Sequence, residues 1–321
     1  MVRKPTALIT GAAGFAGSFL TEELLRAGYA VVGTALPGES LDNLVEVRGN
    51  VDLVRLDITR AGGCEKLVRK VKPATVWHLA AYASVGGSFG REREVFRVNV
   101  EGTLNVLEAA RQVRGLRRLL FVSSPDCYGV FTPKNKTLTE GQPLNPVSPY
   151  GISKAAAERA CLHYFRQYGL RVVVARAFNH CGPRQGDGFA VASFAKQIAA
   201  IEAGRRRPVI AVGDLSARRD LSDVRDIVSG YRLVVEKGRP GEVYNLCSGR
   251  AVEIRAVLET LRALSHRKIK IRVDPARLRK TDLPVLRGSN RKAVQALGFA
   301  ARYTLKATLR ETLDYWRERS A

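Results

Sequence analysis

The first turn of the chain restricts its fold more than any other segment. An apolar run over residues 7–10 passes into Gly11-Ala-Ala-Gly14-Phe-Ala-Gly17, and a helix-length stretch over 14–27 starts at once. Each glycine in such a strand-to-helix turn has a mechanical purpose. Gly11 allows the tight turn, Gly14 lets backbone approach a pyrophosphate, and Gly17 lets the helix pack close to the sheet with its N-terminal amides facing the anion. The same unit then recurs. Strand-like runs at 30–33, 51–55, 75–79, 118–123 and 171–177 alternate with helix-length stretches at 63–71, 93–112 and 150–168. The runs are continuous Val, Ile and Leu without alternation, as strands buried on both faces of a parallel sheet require.

The sequence therefore predicts an α/β protein with a Rossmann-type doubly wound parallel sheet. After Phe178 the order loosens: a Gly-rich stretch over 182–188, a helix over 191–203 and a strand over 209–212. A helix at 224–235 and a strand at 242–247 read again as parts of the sheet. A helix over 253–264, a strand over 269–273 and closing helices at 290–297 and 305–317 complete the chain. The expected organisation is a dinucleotide-binding domain over 1–178 that also takes in about 219–248. A smaller, discontinuous α/β substrate-binding lobe is expected from 179–218 and 249–321.

Composition excludes several classes. With 45% hydrophobic and 26% charged residues in 321, the chain can bury a large core and is not disordered. It has no apolar run of bilayer length, and its first residues lead into a strand without a secretory h-region, so no membrane association and a cytoplasmic location are expected. Five cysteines in no CxxC arrangement and four histidines without ligand spacing predict neither disulfide nor metal. The net charge of +23 raises nucleic acid as a partner. Arg outnumbers Lys 39 to 14, however, and the arginines are scattered; the densest run, Arg205-Arg-Arg207, is short. Weak adhesion at low salt is expected, and no specific nucleic-acid site.

The chemistry gathers at two places. Tyr150 and Lys154 are four apart at the start of a helix, on one face. A phenol, with an ordinary pKa near 10, works as a general acid near neutrality only beside a group that stabilises the phenolate, and Lys154 is expected to do so. The run 119–123 ends in Ser123-Ser124 on the sheet edge that carries the glycine turn, where ligands of open α/β sheets bind. Ser124 can there donate a hydrogen bond to a carbonyl oxygen as charge develops on it. The run that should read the adenosine ribose ends in Thr34-Ala35-Leu36, without the carboxylate that selects NAD, so NADP(H) is expected over NAD(H).

Taken together, these residues resemble the extended short-chain dehydrogenases/reductases of the epimerase/dehydratase family, over nearly the whole length. The resemblance rests on Thr10-Gly-Ala-Ala-Gly-Phe-Ala-Gly17, His78-Leu-Ala-Ala81, Asn99-Val-Glu-Gly-Thr103, Ser123-Ser-Pro-Asp-Cys-Tyr-Gly129, Ser148-Pro-Tyr-Gly-Ile-Ser-Lys154 and Arg176-Ala-Phe-Asn-His-Cys-Gly-Pro183. It implies Ser124, Tyr150 and Lys154 as catalytic residues. Gly11, Gly14, Phe15, Gly17, Asp57, Ile58, Ala80, Ala81, Asn99, Tyr150 and Lys154 are implied at the cofactor, with Asn179, Arg184, Arg219 and Arg279 at a nucleotide-diphosphate sugar. Phe194-Ala-Lys-Gln-Ile198 and Val212-Gly-Asp-Leu-Ser-Ala-Arg-Arg-Asp220 are similar to the branch that reduces GDP-4-keto-6-deoxy-mannose. The 4,6-dehydratases carry a proton-abstracting Glu where this chain has Asp126, and the 4-epimerases show an acid where it has Ala35; both remain alternatives. The resemblance also implies a homodimer that pairs the helices at 93–112 and 150–168.

Overall fold

The computed structural model of the protein describes residues 4–130, 137–278 and 283–320. Seven parallel strands make one sheet. In chain order they are β1 (Thr6–Thr10), β2 (Ala30–Ala35), β3 (Val51–Arg55), β4 (Thr75–His78), β5 (Arg118–Ser123), β6 (Val172–Ala177) and a last strand, Val243–Leu246. Their spatial order is β3-β2-β1-β4-β5-β6 followed by Val243–Leu246. The chain thus starts in the middle of the sheet, winds outward to one edge, returns and winds outward to the other. All strands point the same way, so every strand end lies on one edge, and the reversal between β1 and β4 opens a crevice there.

Helices cover both faces, and each face has its own core. On one side α1 (Phe15–Arg26) packs with a later helix, Val224–Lys237, around Leu20, Leu24, Trp77, Ile227 and Tyr231. On the other side α2 (Ala61–Val71), α4 (Gly102–Arg111) and α5 (Pro149–Tyr168) enclose Leu8, Val76, Leu107, Phe121 and Cys161. The long helix expected over 93–112 is broken. A short α3 (Glu92–Phe96) leads into a π-helical segment, Arg97–Glu101, before α4 begins. The extra residue in that turn points Asn99 inward.

The second lobe has a third core, around Phe194, Ile198, Ile210, Leu258 and Leu313. Its elements are the helices Ala190–Glu202, Ile254–Ala263 and Leu305–Glu318 and the strands Val209–Val212 and Lys270–Val273. Three short strands, Arg218–Asp220, Ala251–Glu253 and Val285–Leu286, pair into a small sheet that no sequence pattern announced. Pieces of two or three residues are too short to show a period. The helix Arg291–Leu297, expected in this lobe, instead packs Ala293 and Leu297 into the core of the large sheet. No described helix is long and apolar enough to cross a membrane.

Candidate active site

The glycine turn behaves as its sequence requires. Gly11 has φ +74°, and a Cβ there would lie 2.9 Å from the backbone nitrogen of Ala80. A Cβ on Gly17 would fall 2.0 Å from the Gly11 carbonyl oxygen, so this glycine makes room for the turn itself and not, as expected, for the sheet. Gly14 caps α1 without a side-chain partner for the first amides, and no acid occupies the first turn. That leaves a concave, amide-lined cradle suited to a pyrophosphate, so a dinucleotide fits these residues.

The other predicted cofactor positions share this edge, at the ends of β3 and β4. Asp57 accepts the Thr59 N–H at 3.0 Å and its hydroxyl at 2.8 Å. Burial works to raise its pKa, but these bonds outweigh it and hold the carboxyl below its usual range. Ile58 is buried, and its side chain fills the space over Gly102. Ala80 donates its N–H to Thr10 Oγ1 at 3.2 Å. The Thr10 hydroxyl lies 2.7 Å from His78 Nδ1, His78 Nε2 lies 3.0 Å from Thr103 Oγ1, and Thr103 donates to the Asn99 carbonyl at 2.6 Å. Burial, aided by the charge of Lys154, pushes His78 down to about 3. Phe15 stacks on His180, with ring centroids 5.7 Å apart.

Asn99 uses its amide inside the protein. Its Oδ1 accepts the Tyr82 N–H at 2.7 Å, and its Nδ2 donates to the Tyr82 carbonyl and to Ser153 Oγ at 2.9 Å. Ser153 in turn donates to the Tyr150 carbonyl. Asn99 thus ties the loop after β4 to the first turn of α5.

Ser148 caps α5, accepting the Gly151 N–H at 3.0 Å, and Pro149 sets the helical φ at its start. This start fixes Tyr150 and Lys154 one turn apart. The Ser124 hydroxyl donates to Asp126 Oδ2 at 3.0 Å, and Asp126 returns its N–H to Ser124 Oγ at 3.2 Å. Burial first, and the Asp126 charge second, raise the Tyr150 phenol above its usual pKa; a hydrogen bond with Ser124 opposes them. Lys154 is buried and lies 4.6 Å from the centre of the Phe121 ring, and burial brings it down to about 8. The expected pull of Lys154 on the phenol is therefore not what sets Tyr150 in this state. Behind these residues Glu158 and Arg176 form a buried pair, with Arg176 Nε donating to Glu158 Oε2 at 3.0 Å, and Ser123 donating to the same oxygen at 2.6 Å.

Asn179 and Arg219 line one cleft of about 310 Å³ between the sheet edge and the second lobe, bounded also by His180, Phe194 and Arg277. Arg277 was missed by sequence reasoning; nothing in its spacing marks it. Beside Arg219, Asp220 is fully buried and accepts four bonds, from the N–H and hydroxyl of Ser248 and the N–H groups of Gly249 and Gly288. Arg184 departs from expectation. It sits at φ +70°, donates to Glu22 at 2.5 Å and stacks on Phe19, so it fastens its loop to the outside of α1 instead of facing the cleft. Arg279 lies outside the described residues.

The sequence profile of the family described as GDP-mannose 4,6 dehydratase matches residues 8–312. The GDP-6-deoxy-D-mannose reductase of Pseudomonas aeruginosa is 37% identical over 247 residues, covering 77% of this chain and 81% of its own. Among solved structures, RMD from Pseudomonas aeruginosa, complexed with NADPH, superposes with a TM-score of 0.85 at 33% identity, over 98% of this chain and 100% of that one. The UDP-glucose 4-epimerase of Thermus thermophilus, in complex with NAD, does so with a TM-score of 0.86 at 32% identity, over 97% and 99%. With the glycine cradle, the Ser, Tyr and Lys at one sheet edge and these likenesses spanning both lobes, the chain belongs to the GDP-mannose 4,6-dehydratase family, among the extended short-chain dehydrogenases/reductases.

Proposed function

We propose that the protein reduces the 4-keto group of GDP-4-keto-6-deoxy-D-mannose to give GDP-6-deoxy-D-mannose (GDP-D-rhamnose), with NADPH preferred to NADH. The observation that carries this reading is the pairing after β5. Asp126 stands where a 4,6-dehydratase has its proton-abstracting Glu, is one methylene shorter, and already accepts the Ser124 hydroxyl at 3.0 Å. A base must reach the proton that it takes, and a shorter, engaged carboxylate reaches less. The likeness to the reductase of Pseudomonas aeruginosa supports the same reading.

The glycine cradle and the ends of β3 and β4 would hold a dinucleotide, whose nicotinamide would supply the hydride for the carbonyl carbon. Ser124 turns its hydroxyl from Asp126 to the carbonyl oxygen and stabilises the charge that develops there. Tyr150 gives that oxygen its proton, and its raised pKa keeps the phenol protonated until it does. Arg219, Arg277 and Asn179 line the cleft, where their guanidinium and amide groups would meet the phosphate oxygens of the substrate. A dehydratase acting on GDP-mannose is the second reading, favoured by the family profile and by an acid of any length at residue 126.

The deciding assay follows NADPH absorbance on addition of protein to GDP-4-keto-6-deoxy-mannose, with UDP-4-keto-6-deoxy-glucose and GDP-mannose in parallel. Loss of absorbance with the GDP-keto sugar alone is the expected result. Formation of a keto sugar from GDP-mannose without added reductant would replace the reductase by the dehydratase.

A further inference from the structure

We infer that Arg55 is the group that receives the adenosine 2′-phosphate of NADP(H), and so sets the choice of cofactor. This deepens the reading above, on which it rests only for the identity of the ligand as a nicotinamide dinucleotide.

In a dinucleotide fold the end of the second strand meets the adenosine ribose, through a carboxylate where NAD is bound and a nearby arginine where the 2′-phosphate must be accommodated. Here β2 ends in Ala35, buried and without a functional group. The parallel register sets Ala35 directly beside Arg55, the last residue of β3, and Leu56 donates its N–H to the Ala35 carbonyl at 2.9 Å. The missing function is thus supplied from the neighbouring strand, where a reading along β2 alone does not find it.

Arg55 is also fixed there. Beyond Ala35, residues 36–39 (Leu-Pro-Gly-Glu) close a tight turn, with the Glu39 N–H donating to the Leu36 carbonyl at 3.0 Å and Gly38 at φ +84°. Pro followed by a left-handed Gly is the pattern of a type II turn. Arg55 Nη1 donates to both ends of it, to the Leu36 carbonyl at 2.9 Å and to the Glu39 carbonyl at 2.6 Å. The guanidinium is therefore pinned across the strand end by one nitrogen. It has five N–H groups in one plane, and its hydrogen bonds among the described residues go to these two carbonyls. Nη2 and Nε remain as a fork of the kind that holds phosphate in two bonds. The Arg55 side chain is exposed, so a ligand can reach it.

The turn also carries a carboxylate. Glu39 Oε2 accepts the Leu36 N–H at 2.9 Å, so it closes the turn and is not turned toward a ribose. This arrangement makes Glu39 the rival to be tested, since a freed carboxylate would select NAD.

Binding of NADPH, NADH, 2′,5′-ADP and 5′-AMP to the whole protein, measured by calorimetry in the absence of any sugar, tests the assignment independently of the reaction. The wild type should bind 2′,5′-ADP at least about ten-fold tighter than 5′-AMP. Arg55→Ala should remove most of that preference, weaken NADPH about ten-fold or more, and leave NADH and 5′-AMP within about two-fold. Arg55→Gln keeps a donor for the two carbonyls, so it should preserve the thermal unfolding temperature and still lose the preference. Equal weakening of NADPH and NADH in both variants would make Arg55 a clamp for the turn and overturn the assignment. So would a wild type without preference, or a Glu39→Gln variant that loses NADH and spares NADPH. A protein that discriminates as expected yet turns over no keto sugar would leave Arg55 in its role and remove the reductase reading instead.

Discussion

Lys154 is charged only on one side of a pH close to neutrality. Burial lowers it to about 8, so it is an ammonium below that value and loses its proton as pH rises through it. If its charge helps Tyr150 and holds the cofactor, kcat/KM should fall on the alkaline side with an apparent pKa near 8, since this ratio reports the free enzyme. Lys154→Arg, which does not titrate there, should abolish the limb in a pH profile, at whatever absolute rate. Tyr150→Phe should cut kcat by about 10²–10⁴ while NADPH binding, measured by fluorescence, stays within about two-fold. That Ser124 and Tyr150 lie together was legible because motif and strand end coincide. Arg184 was misread because its loop folds back on α1, and Arg277 was invisible because an arginine at the end of a three-residue 3-10 turn shows no period.

Elements with a regular period were read almost to the residue: β3 and β5 fall on their expected bounds, and the strand Val209–Val212 does too. The π-helical turn was not legible, since one extra residue inside an amphipathic stretch leaves the apolar pattern readable as a single helix. The glycine turn shows how little freedom a cradle has. Gly17→Ala would drive a methyl into the Gly11 carbonyl, so it should cost at least about 2 kcal/mol in chemical denaturation and abolish cofactor binding. Wild-type binding by that variant would mean that the turn can move aside. Glu158 and Arg176 join α5 to β6 inside the core, next to Ser123. Glu158→Gln leaves a buried guanidinium without its charge partner, and should lower stability by about 3–5 kcal/mol. A loss below about 1 kcal/mol would show that the pair is dispensable.

Across the whole molecule, the doubly wound sheet was legible because parallel strands buried on both faces cannot alternate, and few other folds use such runs. The second lobe was legible in its helices but not in its small sheet, whose strands are held by partners far away in sequence. Asp220 shows why, since its four donors come from the segments at Ser248, Gly249 and Gly288. The net charge of +23 belongs to the surface as a whole. Duplex DNA should therefore bind weakly and without sequence preference at low salt, and should be released by about 0.2 M NaCl in a filter-binding titration, because such binding is counterion release. Retention at that salt, or preference for one sequence, would reveal a dedicated site.

The hydrogen bonds through His78 can run in one direction only. At one end stands the Ala80 N–H, which can only give; at the other stands the Asn99 carbonyl, which can only receive. Thr10 must then give its proton to Nδ1, and Nε2 must carry the ring's own proton to Thr103. The tautomer of the neutral ring is thus dictated by one backbone group that never titrates, the Asn99 carbonyl, which takes the only proton of Thr103. A second proton on the ring, at Nδ1, would oblige the Thr10 hydroxyl to turn its own proton elsewhere. The fold has in effect a diode between the phosphate cradle and the helix of the proton donor. Burial, with the charge of Lys154 second, keeps His78 uncharged near neutrality.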